Sequence, residues 1–460
     1  MRLYYSVRTR RALKQRLGSL PLGLPHYSYG IVCQRFLTLF AEMGIQAIEL
    51  PMPEIYPSSR DMLPGSGDTT RLVHVMFKAF DEFRLLKGAY NVAHVAWEYG
   101  NLPSFDRMSQ FHSNRTHPLN DYVYALGLVD EIWVGCSFTR DTLVRAGLSN
   151  VHIIPAPISL PRGGLLAARK GEGLSRDAFM RAPLQIIECT RSSITRGQAE
   201  DPPAAIGEGL FMRIADCRLR GGKVFLSVFN PHDPRKNPGP MLAGFQRYCQ
   251  RHQPKDLLII KILVDGKFNT LDDVLRVILP RRCRESLTSL DLIDCENIIL
   301  VCGLMSDSEM GRMYGAADFY LCTSNAEGQN LPLLEAMGHG VVPISPVTTA
   351  MADYVTEDNS IILQTTETPV YDSIASAYGL SDTRWCEVSA KEVTLGIERA
   401  AFLDGDTLEA KRAVAIQTVA KHYSPGAVTP LVRQRLLEIG QAVGANLELI
   451  THQHLLAAVQ

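Results

Sequence analysis

The stretch FYLCTSNAEGQNLPLLEAMGHGVVPIS (319–345) decides the reading of the chain. It opens with an apolar run at 319–324 that predicts a buried strand, crosses a polar loop at 325–330, and closes in a second apolar strand at 341–345. Between them the pattern predicts a short helix. Pro332 suits its first turn, where a backbone N–H has no partner in any case, and Gly338 and Gly340 stop it. A loop joining a buried strand to a helix N-terminus presents unpaired N–H groups and the positive end of the helix dipole, which suits a phosphate. In a parallel sheet that loop also lies at the carboxyl edge, where ligands of α/β folds bind.

Two acids bracket this seat, Glu327 in the loop and Glu335 eight residues later. Phosphate alone does not call for them. They are explained if the phosphate carries polyhydroxylated groups on both sides, because one carboxylate accepts two hydroxyl hydrogen bonds. Glu327 would then hold a sugar and Glu335 a ribose. The plainer reading of Glu335 is an acid in a first helical turn, favoured there by the dipole.

The string EGQNLPLLEAMGHGVVPIS (327–345) resembles the E-x7-E segment of retaining glycosyltransferases with the GT-B fold, in particular glycosyltransferase family 4. The usual family wording is close to EGFGLPxLEAMAxGxPV, and this chain departs from it at Gln329 and Asn330. The resemblance continues through NIILVCGLMSDSEMGRMYGAADFYLCTS (297–324), VFLSVFNPHDPRKNPGPMLAGF (224–245) and DEIWVGCSFTRDTLVRAGLSNVHIIPAPI (130–158). It implies two Rossmann-like doubly wound domains facing a central cleft, a nucleotide diphosphate sugar as donor, and a glycan or glycolipid acceptor. It also implies retention of anomeric configuration with no metal or other cofactor.

Composition agrees with a large globular chain. At 460 residues it is too long for one ordinary core, and its 46% apolar and 21% charged content is that of a soluble protein. A formal net charge of −1 argues against nucleic acid as a partner. No apolar run approaches the ~18 residues of a membrane span, and the first residues lack a signal-peptide core. The ten cysteines are scattered without C-x-x-C or paired Cys/His spacing, so neither a disulfide framework nor a zinc site is indicated and the cytosol is the expected compartment. Arg8, Arg10, Arg11, Lys14 and Arg16 form a basic stretch, read either as a solvated helix face or as an attraction to anionic lipid at a membrane surface.

The pattern divides the chain into four parts to which the resemblance gives roles: a Rossmann-like acceptor domain at 1–160, a connector at 161–220, a nucleotide-sugar domain at 221–425, and helices at 426–460 expected, as in GT-B proteins, to cross back to the first domain. In the first, HYSYG (26–30) lies where the family has a glycine loop at which the acceptor approaches, so the resemblance assigns Tyr29 and Gly30 to acceptor binding. NVAHVAW (91–97) reads as a buried strand with Trp97 and Glu98 at its cleft-facing end, an aromatic and an acid suited to a sugar. The alternative is a core Trp beside a surface Glu. His94, on the strand itself, reads as a packed residue.

In the nucleotide domain, Arg235 and Lys236 stand between a strand and a helix and point two cations into the crevice. The resemblance gives them the donor diphosphate to neutralise. An Arg that the family often places earlier is replaced by Asn230. The backbone N–H groups of Gly328, Gln329, Asn330 and Leu331 would complete the phosphate seat, and the resemblance implies that the chain after the strand 297–302 edges the nucleobase at Gly303. Asp404-Gly405-Asp406 is formally a metal-binding D-x-D, but between two helical patterns it reads as a turn with a helix cap. On this reading the catalytic residues are Glu327, Lys236 and Arg235. Two rivals are a non-catalytic GT-B module that binds nucleotide or glycan and another GT-B activity, a sugar-nucleotide epimerase or a phosphorylase.

Overall fold

The computed structural model describes residues 2–7, 25–55, 72–103, 121–161, 185–188, 203–231, 233–262, 295–303, 305–380 and 382–443. The first lobe runs β1 (Arg2–Val7), α1 (Pro25–Glu42), β2 (Ala47–Glu49), β3 (Leu72–Phe77), β4 (Tyr90–Val95), α2 (Tyr122–Gly127), β5 (Glu131–Val134), α3 (Ser137–Arg145) and β6 (Val151–Ile153). Its six strands are parallel in the order β2-β1-β3-β4-β5-β6. LVHVMF is buried at every position, as a strand covered by helices on both faces must be.

The second lobe continues with β7 (Gln185–Glu188), α4 (Pro203–Leu219), β8 (Val224–Phe229), α5 (Pro238–His252), β9 (Leu257–Ile262) and β10 (Ile298–Cys302). After these come α6 (Asp307–Ala316), β11 (Phe319–Leu321), α7 (Leu331–Gly338), β12 (Val342–Ser345) and β13 (Ile361–Ile362). The sheet order is β13-β12-β11-β8-β9-β10-β7, parallel except for β7, which pairs antiparallel with β10. The direction of winding reverses between β8 and β11, so a crevice opens there at the carboxyl edge of the strands. Within the stretch read as a connector, β7 extends this second sheet and α4 packs Leu210, Ile214 and Cys217 into the second lobe's core.

The chain then returns. β14 (Thr366–Pro369), α8 (Asp372–Tyr378) and β15 (Arg384–Glu387) precede α9 (Ala390–Ala401), α10 (Gly405–His422) and α11 (Pro425–Ala442). Val370, Ile374, Leu380 and Trp385 pack with Phe80, Trp97 and Tyr99 of the first lobe. On α11, Val428, Val432, Leu436 and Ile439 pack with Phe36, Phe40 and Trp133, also of the first lobe. Pro425 at the start of α11 and Ser424 as its cap, accepting from the Ala427 N–H, fix where the helix begins. Asp404 caps α10 by accepting from the Thr407 N–H, so the D-x-D of the sequence is a helix start.

One local expectation is corrected. Tyr29 and Gly30 lie inside α1 and not in a glycine loop, because the helix begins at Pro25. Pro at the first helical position supplies the start signal, and a single Gly in an 18-residue helix is tolerated. The basic stretch at 8–16 lies outside the described residues.

Candidate active site

Ser227, Val228 and Phe229 at the end of β8 face Tyr320, Cys322, Thr323 and Ser324 at the end of β11, and Lys236, Glu327 and Asn330 close the crevice between them. The lysine reaches it from a single 3₁₀ turn, Pro234–Lys236, capped by Asp233, whose carboxylate accepts from the Arg235 N–H. The Lys236 Nζ lies 2.5 Å from the Glu327 carboxylate, which is almost wholly buried. Burial opposes the ammonium, but Glu327 and Asp233 together outweigh it and raise the Lys236 pKa above the ordinary lysine value. The Glu327 N–H donates to the Thr349 hydroxyl, which fixes the loop from its other side.

Arg235 points at two acids. It meets Asp233 through Nε at 3.0 Å and Nη2 at 2.6 Å, and Glu98 through Nη1 at 2.7 Å. Glu98 comes from the first lobe, just past β4, so this pair crosses the cleft. Burial raises the Glu98 pKa, Arg235 opposes the rise, and Asp233 and Glu327 reinforce it. For Asp233, burial pushes up but Arg235 and Lys236 prevail and hold it below the usual range. The five groups comprise two cations, Arg235 and Lys236, and three carboxylates, Asp233, Glu98 and Glu327. Fully ionised, the cluster carries one negative charge.

The loop before α7 explains both departures from the family wording. Asn330 adopts the left-handed conformation (φ 58°), which Asn tolerates better than most residues, and its side chain caps α7 by accepting from the Leu333 N–H. Gln329 reaches across the cleft. Its carbonyl accepts from the Ala156 N–H and its amide donates to the Ala156 carbonyl, each at 2.9 Å. A Cβ on Gly328 would meet that of Ala96 at 3.0 Å, and one on Gly135 would meet the Gln329 Oε1 at 2.9 Å. Glycine at both positions is what lets the lobes approach this closely.

Glu335 is placed in α7 with both carboxylate oxygens engaged. One accepts from the Arg35 guanidinium of the first lobe and the other from the Tyr314 hydroxyl at 2.7 Å. A fourth crossing joins Ser137, at the start of α3, to Asp353, which accepts from the Ser137 N–H at 2.8 Å and from its hydroxyl. Leu331 packs against the cores of both lobes.

Other sequence candidates are not among the residues that line the crevice. Trp97 packs among Phe80, Tyr99 and Tyr122, and its indole N–H donates to the Asn101 carbonyl, so the ring is a core ring. The Tyr29 hydroxyl meets the Ala96 N–H at 3.4 Å, beside Glu98. Asn230 accepts the Asp233 N–H at its backbone carbonyl, in the loop leading to Arg235. Gly303, with φ 116°, turns the chain at the end of β10. His94 is packed between Phe36 and Phe77. Arg35, Asp233 and Tyr314 were not singled out from sequence. Asp233 was legible as the acid within PHDPRKNP, whereas Arg35 is one cation in an amphipathic helix with nothing local to distinguish it.

No protein-family model and no curated protein sequence matches the chain. Solved structures do. The chain is similar to sucrose-phosphate synthase from Thermosynechococcus elongatus, with a TM-score of 0.54, 11% identity, and 96% of this chain and 100% of that one covered. It is similar to Anabaena HepE, solved with UDP and glucose, with a TM-score of 0.52, 9% identity, and 95% and 100% covered. With TarM of S. aureus the match has a TM-score of 0.44 at 10% identity over 80% of this chain, which spans only 55% of that longer protein. The two lobes, their strand orders and this likeness define the class: an α/β protein of the GT-B fold, two Rossmann-like units facing a cleft.

Proposed function

We propose that the protein is a glycosyltransferase that moves a sugar, a hexose on our reading, from a nucleotide diphosphate sugar to a hydroxyl of a glycan or glycolipid, with retention of configuration. The observation that carries the reading is the Lys236–Glu327 pair, set at the point where the second sheet reverses and in front of the N-terminus of α7. HepE, of similar fold, was solved with UDP and glucose, which supports a nucleotide sugar as the ligand class.

In the chemistry this arrangement suits, the donor diphosphate displaces Glu327 from Lys236. The ammonium then faces phosphate oxygens, and the released carboxylate accepts hydroxyl hydrogen bonds from the donor sugar. As the glycosidic bond breaks, negative charge gathers on the leaving phosphate while the anomeric carbon becomes oxocarbenium-like. Lys236, Arg235 and the N–H groups of 328–331 stabilise that charge more than the ground state, so the cations of the chain do the work and a metal is not required. Assembly of a bacterial surface polysaccharide or lipopolysaccharide, at the inner face of the membrane, is the setting the family resemblance suggests. Among the described residues no helix is long and apolar enough to cross a membrane.

The test is release of nucleoside diphosphate from a panel of UDP-, GDP- and ADP-sugars, with and without glycan acceptors. Turnover with at least one donor, absent in Glu327→Gln, supports the reading. No turnover with any donor, or full activity in Glu327→Gln, overturns it. Epimerised sugar formed without acceptor would indicate the epimerase reading instead.

A further inference from the structure

Lys261 is the last but one residue of β9, and its side chain is 1% exposed. Its Nζ donates to the Gly303 carbonyl at 2.5 Å and to the Ile262 carbonyl at 3.2 Å. Among the described residues no carboxylate lies within ion-pair reach of it. Burying an ammonium without an anion is costly, and among the described residues two backbone carbonyls take up only two of its three N–H donors. The cations already described in the cleft each face an acid: Lys236 has Glu327, Arg235 has Asp233 and Glu98, and Arg35 has Glu335.

Its position says which part of a nucleotide it could meet. Lys261 pairs in register with Val228 on β8, a wall of the crevice, and with Val301 on β10. By alternation along β9 it lies on the sheet face of Leu257 and Ile259, the face that packs with Tyr314 and Leu334. Its bonds commit the ammonium to the β9–β10 edge, one strand removed from the β8–β11 switch point where the diphosphate sits in the proposed function. Tyr314 on that same face also holds Glu335, the residue assigned to the ribose. A nucleotide running from the switch point past Glu335 brings its base to the β9–β10 edge.

The geometry points to Lys261 as the residue that selects the donor's nucleobase. This rests on the nucleotide-sugar reading of the cleft and deepens it. An ammonium only donates, so it favours a base with a carbonyl at pyrimidine C4 or purine C6, uracil or guanine, over cytosine or adenine, which present an amino group there. Burial draws the Lys261 pKa down to about 8, with the neighbouring Cys302 sulfur opposing. Burial pushes the Cys302 thiol up to about 12, so the ammonium alone of this pair titrates near neutral pH.

Binding of UDP, GDP, CDP and ADP to the full-length protein by calorimetry tests this. Wild type binds UDP or GDP at least about tenfold more tightly than CDP and ADP. Lys261→Met weakens the preferred ligand by roughly 10–100-fold and leaves CDP and ADP within about threefold, as expected for one hydrogen bond from a charged donor. A second arm uses the wild type alone: between pH 7.0 and 8.8 the ratio of preferred to amino-bearing affinity (UDP to CDP, or GDP to ADP) falls about threefold or more as the ammonium deprotonates. Equal binding of all four, preference for CDP or ADP, a uniform loss or no change in Lys261→Met, or a ratio constant with pH overturns the assignment and leaves the nucleotide site standing. No binding by any of the four overturns both.

Discussion

At the scale of single residues the cleft is a set of paired charges that a ligand must rearrange. Glu98 is the member most exposed to that rearrangement, since a diphosphate arriving beside Arg235 brings negative charge to a buried cluster that already carries three carboxylates. Glu98→Gln is therefore expected to bind UDP more tightly, by about 1 kcal/mol or more, because it removes a like charge and frees Arg235. Its pKa, raised by burial, means that part of the wild-type affinity is lost as pH rises and Glu98 ionises, and the Gln variant lacks that part of the fall. Weaker binding by Glu98→Gln in calorimetry would contradict this.

Two buried histidines make a separate prediction. Burial draws the pKa of both His74 and His94 down to about 4, and His74 is held neutral between the Ser6 hydroxyl and the Asn91 amide oxygen. Below pH 6.5 the unfolded chain takes up protons at these rings that the folded chain refuses until about pH 4. Stability is thus full above pH 6.5 and falls as pH drops towards 4, by about 3 kcal/mol per ring over the window. Urea midpoints at pH 7 and pH 5 check this, with His94→Phe showing a smaller fall than wild type. An unchanged midpoint for wild type would contradict it.

At the scale of elements, α11 is tied to the first lobe by a charged contact in addition to its apolar stripe. Arg435 grips Glu131 through Nε at 3.0 Å and Nη2 at 2.6 Å, and Glu131, wholly buried, also accepts from the Trp133 indole at 2.6 Å and the Tyr90 hydroxyl at 3.2 Å. Arg435→Met keeps much of the packing but strands a buried carboxylate, at an expected cost of roughly 3–5 kcal/mol in chemical denaturation. A loss below about 1 kcal/mol would show that apolar packing alone seats the helix.

Elements also show what was readable in advance. The strand–loop–helix at 319–345 and the alternation of apolar runs with helical patterns are local properties, and they yielded both sheets. Lys236 and Glu327 were legible because each lies in a short loop whose place at a strand end is fixed by its neighbours. The partners across the cleft were not. Arg35 meets Glu335 across 300 positions and Gln329 meets Ala156 across 173, and no periodicity encodes such pairs. Trp97 misled for a related reason: a strand-end aromatic looks alike from sequence whether it faces the cleft or, as here, the aromatic cluster behind it.

At the scale of the whole molecule the lobes meet through contacts of two kinds. Glu335–Arg35 and Glu98–Arg235 use groups that a bound nucleotide sugar would claim in the proposed function, whereas the side chains that make Gln329–Ala156 and Ser137–Asp353 have no part in it. Binding is expected to exchange the first kind and keep the second. The closeness of the lobes at Gly135 gives a direct probe: Gly135→Val drives a side chain into Gln329 and wedges the cleft open. Small-angle scattering should then show a larger radius of gyration, with the folded content unchanged by circular dichroism. An unchanged radius would mean that the loop at 328–330 yields without the lobes moving.

The claim on which the rest depends is that Lys236 and Glu327 form a seat for the diphosphate of a nucleotide sugar. Calorimetric titration of UDP, GDP, CDP and ADP into wild type and Lys236→Met tests it most directly. The expected result is saturable binding of at least one ligand to wild type, weakened by about 2–4 kcal/mol in the variant. Binding of none of the four, or equal binding by the variant, would contradict the account.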